Sequence, residues 1–151
     1  MQIQCVCHDT LPWLISISLG VEILTNILSD EQFRQELGDV MSLLAERGIS
    51  DVAVSFGFTP DAPELADVGI GYTIAIADVP SFIAERERTK GFRLGLYDCW
   101  IAPSAIDARF LFCNDRDVHV TSDSAELLDS IRAHWRAKGF NVYPDDLKKN
   151  A

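Results

Sequence analysis

Residues 109–124 read RFLFCNDRDVHVTSDS. An apolar run ends in Cys113, a four-residue polar knot follows, and His119 sits inside a second short run. Two such runs around an Asn/Asp-rich turn read as a β-hairpin, and a hairpin joins antiparallel strands. Directly afterwards Asp123 can cap a helix, with Glu126 at the N3 position. Leu127, Leu128, Ile131 and Trp135 form that helix's apolar stripe, and Gly139 ends it. Strand, turn, strand, helix in sequence argues for an α+β fold rather than a doubly wound one.

The hairpin register decides chemistry as well as fold, because a one-residue slip turns every side chain to the other face. A two- or four-residue loop sends Cys113 and His119 to opposite faces. A three-residue loop, Asn114–Arg116, puts them on one face as a possible nucleophile and base. Turn chemistry favours the even loop, because Asp117 tolerates a left-handed backbone better than Arg116. Hydrophobic sorting favours the odd loop, which collects Phe110, Phe112, Val118 and Val120.

Working outward, SDEQFRQELGDVMSLLAERG (Ser29–Gly48) is the clearest helix. Ser29 and Gln32 make a capping box, and Gly48 suits the left-handed position after the last turn. Phe33, Leu37, Val40 and Leu44 fall on one stripe. Glu31, Gln35, Asp39, Ser42 and Glu46 fall on the opposite face. DVAVSFGF (Asp51–Phe58), VGIGYTIAIA (Val68–Ala77) and FRLGLYDCWIAP (Phe92–Pro103) alternate as strands. In the second, Val68, Ile70, Tyr72, Ile74 and Ile76 share a face, and only small residues lie opposite. Ile3–Cys7, Trp13–Leu19 and Phe140–Tyr143 are further strand candidates. The sequence predicts one α+β domain over residues 1–143 with a polar tail, 144–151. Its sheet is mainly antiparallel, its two main helices lie at about 30–47 and 124–138, and a short one lies at about 81–90.

The chain of 151 residues has a net charge of −10. Residues 1–85 hold thirteen acids against Arg34 and Arg47 alone, whereas residues 86–151 nearly balance. Direct nucleic-acid binding is not expected from such a surface. Attraction to a basic protein is. Leu11–Leu28 is apolar, but Pro12, Glu22 and Asn26 interrupt it as a membrane span. No positively charged leader precedes Cys5, Cys7, Cys99 and Cys113, so a cytoplasmic protein with reduced thiols is expected.

No catalytic, cofactor or metal motif emerges. Cys5 and Cys7 are spaced too closely for a zinc pair and lack a second pair. The glycines of GIGYTIAIA alternate within a strand instead of bridging strand and helix. Asp98 shares alternation with Phe92, Leu94, Leu96 and Trp100. It reads either as a site carboxylate or as a strand-end aspartate bonded to a backbone N–H. His134 reads as a boundary residue of the last helix.

Residues 92–143, with the acidic turn NDRDVHV leading into TSDSAELLDSIRAHWRAKGFNVY, resemble small bacterial immunity proteins that protect against contact-dependent growth-inhibition toxins. The resemblance implies a cytoplasmic, non-enzymatic protein that binds and blocks a toxin domain, often a basic nuclease. It carries no catalytic motif. The acidic distribution points the same way, with Glu31, Gln35, Asp39, Glu46, Asp61, Glu64, Asp67, Asp115 and Asp117 as candidate partner-binding residues. Phe58, Tyr72 or Trp100 would supply an aromatic anchor. Two other readings are a small enzyme built on Cys113 and His119, with or without Asp98, and a homo-oligomer (a homodimer in the simplest case) packed through the small-residue face of Val68–Ala77.

Overall fold

The computed structural model describes residues 2–4, 20–57, 59 and 62–146. In chain order the elements are β1 (Gln2–Gln4), β2 (Val21–Thr25), α1 (Asp30–Glu46), β3 (Asp51–Phe56) and β4 (Gly71–Ala75). A 3-10 turn (Ile76–Asp78) leads into α2 (Val79–Thr89). Then follow β5 (Cys99–Pro103), β6 (Ala108–Phe112), β7 (Val118–Ser122), α3 (Ala125–Ala137) and β8 (Val142–Tyr143). The strands form one sheet in the order β1-β4-β3-β5-β6-β7-β2-β8. Every pairing is antiparallel. The expected α+β class therefore holds. The candidate strand Trp13–Leu19 and most of Ile3–Cys7 lie outside the described residues.

One face of the sheet carries the core. Val52, Val54 and Phe56 of β3, Ile101 of β5, Phe110 and Phe112 of β6, and Val118 and Val120 of β7 are all buried there. The helices bring Phe33, Leu37, Val40 and Leu44 from α1, Val79 and Ile83 from α2, and Leu127, Leu128, Ile131 and Trp135 from α3. Phe33 meets Phe112 edge to face, with ring centroids 5.5 Å apart. The capping box forms as read: the Ser29 hydroxyl accepts from the Gln32 amide, and the Gln32 side chain accepts from the Ser29 amide.

The hairpin resolves in favour of hydrophobic sorting. Phe112 pairs with Val118 and Leu111 with His119. The Cys113 amide donates to the Asp117 carbonyl, leaving Asn114–Arg116 as a three-residue loop. Arg116 adopts the left-handed backbone, φ 66°. Magnitudes explain the outcome. A left-handed arginine costs roughly 1–2 kcal/mol, whereas burying each of Phe110, Phe112, Val118 and Val120 contributes about 1.5–3 kcal/mol.

Three local readings need correction. The strand expected over Phe92–Pro103 begins only at Cys99, because Phe92–Asp98 form turns in which Gly95 has φ 85°. Leu96 is consequently exposed, while Phe92, Leu94 and Tyr97 are buried. The strand at Val68–Ala77 shrinks to Gly71–Ala75, because Gly69 turns with φ 80° and Ile76 opens the 3-10 turn. The cap of α3 is Ser124, whose hydroxyl accepts from the Leu127 amide. Ser124 is held in place as its own amide donates to Ser122.

Candidate functional site

The odd loop brings Cys113, Asp117 and His119 to one face of the hairpin, opposite the core. Cys113 follows β6 directly and Asp117 directly precedes β7, so they continue the face of Leu111 and of His119 at the two-residue spacing of a strand. Sγ of Cys113, a carboxylate oxygen of Asp117 and a ring nitrogen of His119 all lie within 4.8 Å of one another. All three residues are half-buried. Next door, β2 pairs Leu24 with His119 and Glu22 with Thr121, so Glu22 reaches the ring diagonally. Its Oε1 lies 3.0 Å from Nδ1 of His119.

His119 thus lies between two carboxylates. On its far side, Nε2 is 3.2 Å from Oδ1 of Asp117. Contact with Asp117 above all, then with Cys113, pushes the imidazole up to about 10; burial opposes this and Glu22 adds to it. Burial alone would raise the Asp117 carboxyl, but contact with His119 and Cys113 outweighs burial and holds it below its ordinary range. A raised folded-state pKa stabilises the fold fully below the unfolded value near 6.5, and that contribution is lost as pH rises through about 10. An NMR titration of the chelator-treated chain should therefore show the His119 ring still protonated at neutral pH. Asp117→Asn should move its midpoint down. A wild-type midpoint near 6.5 would contradict the arrangement.

The remaining titratable clusters are engaged in holding elements together. Glu36 of α1 is fully buried. Its carboxylate accepts from Trp135 Nε1 at 2.8 Å and from Lys138 Nζ at 2.7 Å, and it lies 3.0 Å from His134 Nε2. Lys138 also donates to Asp39 at 2.5 Å. Burial works against the Lys138 charge, but its bonds to Asp39 and Glu36 outweigh burial and leave its pKa raised. Elsewhere Tyr72 donates to Asp67 at 2.7 Å, and Arg86 forms an ion pair with the same carboxylate. Arg86 also lies over the rings of Phe56 and Tyr72. Asp98 is a strand-end aspartate whose Oδ1 accepts from the Asn114 amide at 2.9 Å. Burial, and the nearby Asp98, push the Cys99 thiol well above its ordinary range, so Cys99 is inert.

The candidate partner-binding residues divide accordingly. Glu31, Gln35, Glu46, Glu64 and Asp115 are exposed. Asp39, Asp67 and Asp117 are drawn into the contacts with Lys138, Arg86 and His119. Asp61 and the candidate anchor Phe58 lie outside the described residues. Of the other anchors, Tyr72 is buried, and Trp100 is stacked under the Arg109 guanidinium, 4.5 Å from its ring centroid.

Sequence reasoning passed over Glu36 and Glu22. The signal for Glu36 was its place three residues after Phe33 and four before Val40, on the apolar stripe. Glu22 gave no local signal, since its partner His119 lies 97 residues away.

Two apolar side chains and an acid mark a different surface. Among the described residues the exposed large hydrophobics are Val21, Ile27 (64%) and Leu96 (37%). Ile27 precedes Leu28, whose amide donates to the Arg116 carbonyl at 2.9 Å. Leu96 follows Gly95, where an added β-carbon would stand 3.0 Å from Arg116 Cγ. The chain neighbours of both thus touch Arg116, next to Asp115 at the hairpin tip. No described helix is long and apolar enough to cross a membrane. No family model, no curated protein and no solved structure matches this chain.

Proposed function

We propose that this chain is a non-enzymatic binding protein for a basic protein partner, of the toxin-neutralising kind that the immunity-protein resemblance implies. One observation carries the reading: Ile27 and Leu96, exposed large apolar side chains, each adjoin in sequence a residue that touches Arg116 at the hairpin tip, next to Asp115. Glu31 and Gln35 are exposed on the first two turns of α1, which starts just after Leu28. Apolar anchors inside a polar rim are the usual anatomy of a recognition patch. The net charge of −10 would speed the approach of a cationic partner.

The contacts of Cys113 and His119 do not form a nucleophile–base pair: Cys113 Sγ donates to Asn114 Oδ1 at 3.7 Å, and the His119 ring nitrogens face Glu22 and Asp117.

The test is copurification from the native cell. Wild-type chain should retain a basic protein, and Ile27→Arg/Leu96→Arg should lose it. Glu31→Lys/Asp115→Lys should slow association and weaken its salt dependence. A partner that binds both double variants with wild-type kinetics would place the interface elsewhere. An acidic or nucleic-acid partner would overturn the reading.

A further inference from the structure

The geometry points to a transition-metal site of the zinc class on the β6–β7 hairpin, held by Cys113 Sγ, an Asp117 carboxylate oxygen and His119 Nε2, with Glu22 hydrogen-bonded to Nδ1. It does not rest on the partner-binding reading: the donor set of Cys113, Asp117 and His119 carries it, and neither Ile27 nor Leu96 is part of that set.

Four observations carry it. First, the donors are of the right kind: thiolate, imidazole and carboxylate together suit zinc or cobalt(II) rather than magnesium or calcium, which take oxygen alone. Second, the separations fit. Ligand bonds of about 2.0–2.1 Å at a tetrahedral ion set nitrogen and oxygen about 3.3 Å apart. Nε2 and Oδ1 are 3.2 Å apart, as such an ion requires, and Cys113 Sγ, within 4.8 Å of both, would close in to about 3.6 Å on binding.

Third, Oδ1 of Asp117 is buried and has no hydrogen-bond partner. Nε2 of His119 lies 3.2 Å away without a hydrogen bond to it. A cation between them would satisfy both atoms. Fourth, Glu22 supplies the outer partner that metal-binding histidines usually have. A carboxylate on one ring nitrogen fixes the tautomer that leaves the other nitrogen's lone pair for the ion. His119 lies in β7, and Cys113 and Asp117 close the hairpin just beyond the two strands, tied to each other by the Cys113 amide donating to the Asp117 carbonyl at 3.0 Å.

Glu36, Asp39 and His134 also bring three donor groups together. There Lys138 Nζ already sits at 2.7 Å from Glu36 and 2.5 Å from Asp39, as the resident cation. No lysine or arginine ion-pairs with Asp117 among the described residues. Three protein ligands leave a fourth position for water or an exogenous donor, the arrangement of an open rather than a closed zinc site.

The test uses the full reduced chain and cobalt(II) chloride. One equivalent should bind, with a thiolate-to-cobalt charge-transfer band in the near ultraviolet and strong visible absorption of tetrahedral type. Zinc should displace it. Cys113→Ser should abolish the near-ultraviolet band, and Asp117→Asn and His119→Gln should end stoichiometric binding. Glu22→Gln keeps every ligand and should weaken binding about 10–100-fold. Cys5→Ser/Cys7→Ser and His134→Gln should leave the titration unchanged.

Absence of a thiolate band in the wild-type chain would overturn the assignment. So would a band that survives Cys113→Ser, or one that vanishes with Cys5→Ser/Cys7→Ser. Near-ultraviolet circular dichroism checks that each variant is folded. Should Cys113→Ser fail to fold, wild-type affinity in Glu22→Gln would still overturn the role given to Glu22, and wild-type affinity in Asp117→Asn would overturn the site.

Discussion

Replacing Glu36 with alanine should destabilise the chain by about 3–5 kcal/mol, as expected when one member of a buried charge cluster is removed. The carboxylate is fully buried and joins α1 to α3 through Trp135, His134 and Lys138. Its loss orphans the indole N–H of Trp135, itself fully buried, at roughly 1–3 kcal/mol. It also leaves Lys138 with Asp39 alone. Glu36→Gln retains an acceptor for Trp135 and should cost clearly less. In urea the alanine variant should show a lower midpoint with an unchanged slope. A shift worth under about 1 kcal/mol would mean that α3 is held by its apolar stripe and not by this carboxylate.

Phe56→Ala should have a comparable effect through packing rather than charge. Phe56 is buried at the centre of an aromatic cluster, with ring centroids 4.5 Å from Phe92, 6.2 Å from Phe82 and 6.4 Å from Tyr72. Truncation to alanine in a core costs about 3–5 kcal/mol, and each aromatic pair adds about 0.5–1.5 kcal/mol. Phe56 also lies beneath the Arg86 guanidinium at 5.3 Å, so the cavity would loosen the Arg86–Asp67 pair. For a chain of this size the melting point should fall by at least about 6 °C. Phe56→Leu, which refills most of the volume, should recover much of the loss. Equal losses in the two variants would show that ring geometry, not volume, is the decisive quantity.

The parts of the fold legible in the sequence are those governed by near neighbours. Ser29, Gln32 and Gly48 delimit α1 because capping is a matter of three or four residues. Alternation located β3, β6 and β7 for the same reason. It misled at Phe92–Leu96, where a glycine in the left-handed region interrupts the extended chain. There Tyr97 Oη donates to the Pro63 carbonyl, 34 residues away, a tie that no local pattern announces. The candidate metal site was half legible. Cys113 and His119 could be singled out, but the loop rules conflicted until the burial of four side chains was weighed against one strained arginine. Asp117 was counted as an acid for a partner, and Glu22 comes from a strand that joins the hairpin only in three dimensions.

The three-residue loop at Asn114–Arg116 also bears on how this chain can diverge. Surface loops ordinarily accept insertions and deletions more readily than strands do. Here the burial of Phe110, Phe112, Val118 and Val120 holds the pairing of Phe112 with Val118, so a residue gained or lost at Asn114–Arg116 would change the loop without turning the strands over. A residue gained or lost inside β7 would instead send the side chains beyond it to the opposite face. Among functional descendants of this sequence, the hairpin tip should therefore vary in length and composition while the two strands keep their count.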